Sequence, residues 1–318
     1  MRFGLSLAFV ALLLGASSRI EAQTIDGPGL RAQGMAGAFV AVADDASAIF
    51  WNPAGLATAA TFDAQIGVEG LQAPGDPVDA HLAFAGAAMP ALGVGYYKTR
   101  VLGSVTAPLP TVSSSADRQN GGSGEVQLSA LTTRNFGVAV LQTIVNGLVV
   151  GSTVRLVSGQ MSRDSGRTTV DVDAGVMVSA GSMRVGLTAR NLRQPGFPGD
   201  VDRIGLKRQV KAGVALVPRS LPTGVHGPFS LAFDVDLKRT PSAGAPKREA
   251  AVGAEYWAAG GRLGARAGTR WSTTQDRSLS FSAGLTVGLP HSLFVEGQLT
   301  KPRRGRDSNW GIGARVTF

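Results

Sequence analysis

Apolar and polar residues alternate along most of the chain from residue 62 onward. In the stretch 278–289, SLSFSAGLTVGL, every second residue is apolar and the residues between are serine, threonine or glycine. The stretches 229–238 and 262–271 alternate in the same way, with charged residues among the polar positions. Because successive side chains of a β-strand point to opposite faces, each stretch predicts a strand with one apolar and one polar face. Such alternation over about ten residues, repeated many times, is typical of a transmembrane β-barrel.

The alternation predicts fourteen strands, an even number as expected of single-chain bacterial barrels. The predicted strands are 62–72, 79–89, 92–102, 129–143, 147–159, 168–181, 182–192, 207–218, 228–239, 247–259, 261–272, 276–289, 291–301 and 308–318. Every second connection is tight, with 218–228 as the exception of medium length, which assigns the tight connections to the periplasmic end. The sequence therefore predicts an all-β fold, a 14-stranded antiparallel transmembrane barrel at 62–318 in the outer membrane of a Gram-negative-type bacterium.

Two segments precede the barrel. Residues 1–22 have a basic start, an apolar run at 3–16 and a small residue at Ala22, which predicts a signal peptide. Residues 23–61 do not alternate, and several glycines interrupt them. Since side chains alone fill a barrel of about eight strands but not a wider one, residues 23–61 are predicted to form a hatch inside the lumen.

The polar faces of the strands predict a charged lumen. Glu249 and Glu255 lie on the strand next to Arg266 and Arg270, so opposite charges are expected to pair across the wall. A structural network is favoured, and a polar constriction that selects solutes is the functional alternative. The predicted network consists of Asp234, Asp236, Glu249, Glu255, Arg262, Arg266 and Arg270, and the same parity turns Asp171, Asp173, Arg184, Arg190, Lys211, Lys238, Glu296 and Arg315 inward.

Composition narrows the possible partners. The chain has a formal charge of +9 and no cysteine, which excludes disulfides and a lipid-modified cysteine. An exported basic protein is expected to meet anionic lipid headgroups or lipopolysaccharide phosphates rather than nucleic acid. The basic loop 301–306 suits such phosphates, and a merely solvated loop is an equal alternative.

An enzyme is not predicted. Outer-membrane hydrolases are also barrels, but they need a base, usually histidine, beside a serine or an acid. His81, His226 and His291 are the three histidines of the chain, and the pattern gives none of them such a partner. Asp44 and Asp45 are adjacent and lack the spacing of a calcium loop. No catalytic residue, metal site or cofactor is therefore expected.

The last predicted strand carries a terminal signal. Trp310, Val316 and Phe318 share its apolar face, and the strand ends on phenylalanine. This pattern resembles the C-terminal signal by which outer-membrane barrels are delivered to the barrel-assembly machinery. Trp257, Trp271 and Trp310 lie near strand ends, where aromatic girdles form.

A motif near the start of the chain stands apart from the alternation. In DDASAIFWNPAGLA, residues 44–57, Pro53 ends any helix that precedes it, and Asn52 is suited to a turn. The longer stretch 29–57 resembles the N-terminal region of the FadL-type outer-membrane transporters of hydrophobic compounds, and more closely that of their PorV/PorQ-type relatives. The resemblance implies a hatch motif of Asp44, Asp45, Ser47, Asn52, Pro53, Ala54 and Gly55, with Phe50 and Trp51 packing the hatch or contacting an apolar ligand.

The resemblance implies two functions. The first is transport of long-chain fatty acids or other hydrophobic small molecules past the hatch, with sideways release through the wall at a kink near Gly93 and Gly95. The second is a PorV/PorQ-like barrel that transports nothing and serves protein secretion or cell-surface assembly. An apolar cavity between hatch and wall favours the first function, and a lumen packed with ion pairs favours the second.

Overall fold

The computed structural model describes residues 27–72, 79–106, 126–161, 166–197, 204–218, 228–239, 247–274, 278–303 and 308–318. The signal peptide predicted at 1–22, His226 and the end of the basic loop 301–306 lie outside the described residues.

Fourteen strands in the described part of the chain form one closed antiparallel barrel, which confirms the predicted architecture. The barrel strands are β1 (Asp63–Gln72), β2 (Asp79–Met89), β3 (Leu92–Thr106), β4 (Val126–Val145), β5 (Leu148–Met161), β6 (Arg167–Ala180), β7 (Met183–Arg190), β10 (Gln209–Leu216), β11 (Phe229–Asp236), β12 (Glu249–Ala258), β13 (Leu263–Ser272), β14 (Leu279–Gly288), β15 (Leu293–Pro302) and β16 (Ser308–Thr317). Each barrel strand pairs with its neighbours along the chain, and β1 pairs with β16 to close the ring. Strands β8 (Gly196–Phe197) and β9 (Ile204–Gly205) pair only with each other, between β7 and β10.

The barrel is polar inside and apolar outside. Along β14, Ser282 and Thr286 are buried while Phe281 and Leu285 are exposed. Exposed large apolar side chains recur on the outer face of most strands, so the barrel presents an apolar outer surface. None of the helices in the described ranges is long and apolar enough to cross a membrane.

Residues 27–62 are called the N-terminal segment here, and residues 27–56 of the segment lie within the ring of strands. The segment contains α1 (Leu30–Gly34), α2 (Ala48–Trp51) and the 3-10 helix η1 (Pro53–Thr58). Every residue from 27 to 56 except Asp44 is buried. Helices this short are marginal by themselves, and packing against the surrounding barrel wall stabilises them.

A set of glycines on the inner face of the wall makes room for the N-terminal segment. A side chain at any of these positions would meet an atom of the segment within 4 Å. They occur on every barrel strand except β11 and β15, so the segment packs directly against wall backbone on nearly all sides. This glycine belt consists of Gly67, Gly86, Gly93, Gly95, Gly137, Gly151, Gly175, Gly186, Gly213, Gly253, Gly268, Gly284, Gly311 and Gly313.

The expected kink at Gly93 and Gly95 is absent from the described strands. Gly95 pairs with Gly86 of β2 and Gly137 of β4, and both ladders keep their register through β3. The two glycines instead leave space for the segment. A Cβ atom at Gly93 would lie 2.7 Å from the Ile49 side chain, and one at Gly95 would lie 2.9 Å from the Phe50 ring. The described ladders therefore show no kink at these glycines, which accommodate the segment and do not interrupt the sheet.

Candidate functional site

Asn52 joins two parts of the N-terminal segment to the wall. Its Nδ2 donates to the Val40 carbonyl at 2.9 Å and to the Val176 carbonyl of β6 at 3.2 Å. Its Oδ1 accepts from the Ala54 amide at 3.2 Å, which caps η1, and Pro53 opens that helix as the first residue. The Asn-Pro pair therefore sets a turn and also ties that turn to the sheet.

The other predicted hatch residues lie around this turn. Asp45 Oδ1 accepts from the Ser47 amide at 2.9 Å and from the Ser47 hydroxyl at 2.6 Å. A side chain at Gly55 would overlap the Ala43 carbonyl, so only glycine fits there. Asp44, in contrast, keeps 26% of its side-chain surface exposed and contacts Arg31 and Arg184.

Phe50 and Trp51 are packed rather than free for a ligand. Phe50 lies edge-on to Phe84 and Tyr97, with ring centroids 6.0 and 4.7 Å away. Trp51 donates from Nε1 to the Pro28 carbonyl at 2.7 Å and is 1% exposed. In the described residues neither ring lines either of the cavities discussed below. Both residues therefore stabilise the segment in this conformation.

Arg31 is the centre of a cluster that joins the segment to five wall strands. Its Nη2 and Nε lie 2.6 and 2.8 Å from the Glu255 carboxylate, and its Nη1 contacts Asp44. Burial alone would lower the pKa of the Arg31 guanidinium, but the carboxylates of Asp44, Glu255 and Asp45 raise it well above its ordinary value. Arg31 is therefore always charged, and it has carboxylate partners on both the segment and the wall.

The remaining members of the cluster continue from Glu255 around the wall. Arg266 Nε lies 2.6 Å from Glu255 Oε1, and Arg266 Nη2 lies 3.5 Å from Glu296 Oε1. Arg315 reaches the same Glu296 oxygen at 3.5 Å and Asp63 at 3.9 Å. Asp63 in turn accepts from the Ala46 amide of the segment at 2.8 Å. The Arg31 cluster thus consists of Arg31, Asp44, Asp45, Asp63, Glu255, Arg266, Glu296 and Arg315.

The predicted lumen network is divided in the structure. Asp234 accepts from the Phe39 and Val40 amides at 2.7 and 2.8 Å, so it holds backbone of the segment. Asp236 pairs with Lys211 at 3.4 Å, and Glu249 pairs with Arg270 at 3.5 Å.

Two residues whose side chains the alternation predicted to face the lumen are exposed. Arg262 lies between the turn η2 (Ala259–Gly261) and the first residue of β13. Lys238 follows the end of β11. Because side-chain alternation sets no direction beyond the strand ends, the inward orientation of both residues stays a prediction.

A second cluster surrounds Arg155, which the sequence analysis did not single out. Arg155 is fully buried, and its Nη2 and Nε lie 2.6 Å from Asp171 and 2.8 Å from Asp173. Its Nη1 donates to Asn135 Oδ1 at 3.1 Å, and Asn191 Oδ1 accepts from Nη2 at 2.6 Å. Arg155 lies directly opposite Asp171 in the β5–β6 ladder, so strand register was the signal that would have found it. These residues, with Tyr97, form the Arg155 cluster.

A cavity of about 320 Å³ separates the segment from the wall beside the Arg31 cluster. Its apolar lining includes Val42 of the segment and Val217, Trp257 and Phe294 of the wall. Trp257 was expected in an aromatic girdle, but it faces inward, with Arg266 and Arg315 at 5.4 and 5.7 Å from its ring. Trp257 lies two residues after Glu255 on β12, so the side chains of both residues point into the lumen. Arg31, Asp44, Arg184, Ser230, Glu255 and Arg315 supply polar lining to this segment cavity.

A second cavity of about 550 Å³ adjoins the segment cavity and shares Arg184, Val217 and Pro228 with it. Ser179 and Gly181 also line it, next to the tight turn between β6 and β7. The two cavities therefore lead from the Arg31 cluster toward the end of the barrel where the tight connections lie, called the tight-turn end here. The opposite end carries the longer connections and is called the loop end.

The predicted assembly signal lies at the seam of the barrel. Trp310 and Phe318 are 36% and 65% exposed on the outer face, and Val316 is half-buried. The Phe318 ring stacks on Phe62 at 5.5 Å, and the two residues exchange backbone hydrogen bonds. Recognition of this strand by an assembly machinery stays a prediction. No group of three or more potential metal ligands occurs among the described residues.

Solved structures share this architecture. The CymD monoaromatic hydrocarbon channel aligns with a TM-score of 0.66 at 14% identity, over 93% of this chain and 99% of that chain. The toluene transporter TodX of P. putida aligns with a TM-score of 0.63 at 12% identity, over 93% and 99% of the two chains. A Pseudomonas aeruginosa FadL homologue gives a TM-score of 0.61 at 11% identity, over 94% and 100%.

No protein-family model and no curated protein sequence matches the chain. At these identities the structural likeness establishes a shared fold, that of channels and transporters with the FadL-type architecture. A particular closeness to PorV/PorQ-type barrels stays a prediction.

Proposed function

We propose that this protein is an outer-membrane channel for hydrophobic small molecules, in which the N-terminal segment acts as the hatch. The observation that carries the proposal is the segment cavity, which lies between the segment and the wall and adjoins the second cavity toward the tight-turn end. A passenger that leaves by this route needs no rearrangement of the wall. It needs only a shift of the segment above the cavity.

The apolar outer surface of the barrel supports a location in the outer membrane. An apolar outer surface around a polar interior suits a lipid bilayer, because every backbone group of a closed barrel is paired within the sheet. Outer-membrane lipids are the proposed neighbours of the outer face, and lipopolysaccharide phosphates are the proposed partners of the basic loop that starts at Lys301. Delivery by a barrel-assembly machinery belongs to the same proposal.

The fold neighbours support the chemical class of the passenger. CymD is described as a monoaromatic hydrocarbon channel and TodX as a toluene transporter. The fold is no guide to function by itself, but an aromatic-lined cavity in this fold suits a compact apolar molecule. Long-chain fatty acids, which the sequence resemblance implied, belong to the same broad class.

A second candidate function has its own observation. The lumen is crowded with ion pairs, and the glycine belt holds the segment tightly, which favours a static PorV/PorQ-like barrel that serves secretion or surface assembly. In such a protein the segment would be a permanent part of the wall. The two candidates differ in whether the segment must move.

A reversible lock tests that difference. The chain has no cysteine, and a Cβ at Gly34 would lie 3.3 Å from the Gly284 Cα, with the reverse distance equally short. A disulfide between Gly34→Cys and Gly284→Cys is therefore within reach, since bridged residues have Cβ atoms roughly 3.5–4.5 Å apart. We expect uptake of the apolar dye N-phenylnaphthylamine, by Gram-negative host cells that express the protein, to stop on oxidation and to return on reduction.

The two single-cysteine variants under the same oxidant are the matched controls, and mass spectrometry verifies the crosslink. Dye uptake that persists through the verified crosslink contradicts passage past a moving hatch. Dye uptake that never exceeds that of cells without the protein, in either redox state, contradicts transport and favours the second candidate.

A further inference from the structure

We propose that the segment cavity is a binding site for a compact aryl carboxylate, whose carboxylate takes the position that the Asp44 side chain now occupies. The inference rests on the proposed function, since it names a subclass of the hydrophobic passengers. It is carried by the chemistry of the cavity lining, in which hydrogen-bond donors without an acceptor and aromatic rings border the same small space.

The lining has more cationic than anionic side chains. Arg31, Arg184 and Arg315 line the cavity, against the carboxylates of Asp44 and Glu255. Glu255 already binds two guanidiniums, with Arg31 and Arg266 each at 2.6 Å. This leaves Asp44 as the carboxylate that faces Arg184, and it does so at 3.7 Å, which is too long for a hydrogen bond.

Three donors of the lining are buried without a hydrogen-bond acceptor in the described part of the chain. They are Arg184 Nη1, the Ser230 hydroxyl and Arg315 Nε, which forms an ion pair with Glu296 at 3.5 Å but no hydrogen bond. Ser230 and Arg315 are 6% and 7% exposed, so bulk water does not easily satisfy them. Unsatisfied buried donors are costly, and they come from β7, β11 and β16, which surround one space. An anionic acceptor in the cavity would satisfy them together.

The aromatic part of the cavity lining suits an aromatic ring of the ligand. Trp257 and Phe294 lie edge to face at 6.0 Å, and Arg315 lies 5.4 Å from the Phe294 ring. A third ring can extend this pair, since aromatic rings prefer edge-to-face and offset contacts and cations favour ring faces. Val42 and Val217 close the apolar lining. A volume of about 320 Å³ is at the small end of ligand cavities, which favours a compact molecule.

The position of Asp44 makes ligand binding and segment release compete. Asp44 is the one residue between 27 and 56 that is not buried, and it belongs to the segment while Arg184 belongs to the wall. A ligand carboxylate that binds Arg184 and Arg31 displaces Asp44 from both. The passenger thereby breaks a contact that holds the segment over the cavity.

Binding to the purified full chain in detergent tests the site. The probes are 3-phenylpropionate and its neutral counterpart 3-phenylpropanamide, followed by calorimetry and by the fluorescence of the tryptophans. We expect the acid to bind at least about tenfold more tightly than the amide, since hydrogen bonds to a charged group are the stronger ones. Arg184→Gln should weaken binding of the acid about tenfold, and Ser230→Ala should weaken it less. Asp44→Asn should strengthen it several-fold, because the internal competitor has lost its charge.

Arg262→Gln is the matched control, because it removes one positive charge at the tight-turn end from an exposed position outside the cavity. This variant should bind the acid as the unchanged protein does. Equal binding of acid and amide overturns the carboxylate site but leaves the proposed channel standing. Unchanged affinity in Asp44→Asn overturns the displacement of Asp44. Tight acid binding by a protein that takes up no dye supports the site and contradicts the proposed function.

Discussion

The Arg31 and Arg155 clusters use the same chemistry for different ends. Both place a buried arginine between two or more carboxylates. Nη1 and Nη2 of Arg155 donate hydrogen bonds and its Nε lies 2.8 Å from Asp173, and all of these partners belong to the wall or the loop end next to it. Arg31 joins the segment to the wall, beside a partly exposed carboxylate and a cavity.

The difference shows how a charge cluster can fix one part of a protein and release another. When buried charges on two surfaces separate, water fills the gap and solvates both surfaces, so the separated state is not costly. The Arg155 cluster has no second surface to separate from, since its members lie on β3 to β6 and just beyond the end of β7, which pair with one another in order. The Arg31 cluster does have one. We therefore expect the segment to yield first at the Arg31 cluster.

Arg155→Met gives the largest expected effect. It leaves Asp171 and Asp173 buried without their guanidinium partner, and breaking a buried ion pair typically lowers the free energy of unfolding by about 3–5 kcal/mol. Urea unfolding followed by the gel shift between folded and unfolded barrel measures this loss. Dye uptake per folded molecule should stay unchanged. A stable Arg155→Met barrel would show that the two clusters do not differ in the proposed way.

Arg31→Met is the same substitution in the other cluster and should cost less. Glu255 keeps Arg266 at 2.6 Å, and Asp44 keeps Arg184 at 3.7 Å. The loss is that of charged hydrogen bonds, about 2 kcal/mol, measured in the same unfolding assay. Because the Arg31 bonds between segment and wall are gone, dye uptake should rise. Unchanged dye uptake together with a lower free energy of unfolding would indicate that Arg31 only stabilises the fold.

Asp44→Asn is the smallest change in stability, about 0.5 kcal/mol, because the Asp44 side chain is partly exposed and such ion pairs contribute little. Protease cleavage near residue 44 offers the more sensitive readout. The variant should be cut faster than Asp236→Asn, whose carboxylate pairs with Lys211 within the wall. Equal cleavage would place the weak point of the segment elsewhere.

The sequence predicted the barrel far better than the site. Alternation is a local property that every strand carries, so fourteen strands and their parity followed directly from it. Parity also placed Glu255 and Arg266 on the inner faces of neighbouring strands, and the structure has them 2.6 Å apart. Parity gives no direction at Arg262, which precedes its strand, and a preference for aromatic residues at strand ends misdirected the interpretation of Trp257.

The partners of the segment could not be predicted because they depend on long-range placement. Arg31 meets Glu255 across 224 positions of sequence, and nothing near either residue indicates the contact. The glycines of the wall appeared individually as weak turn or kink signals. Their shared role became visible only when their positions on different strands were set against one buried segment.

Because of the glycine belt, the inner surface of the wall is complementary in shape to this particular segment. A larger side chain in the segment needs a missing one at the facing wall position, and Gly93 and Gly175 meet the side chains of Ile49 and Asn52 in this way. Exchanging the segment with that of another barrel of this fold would therefore set side chains against filled positions. The segment and the wall must therefore come from the same protein, so a functional chimaera has to carry both of them.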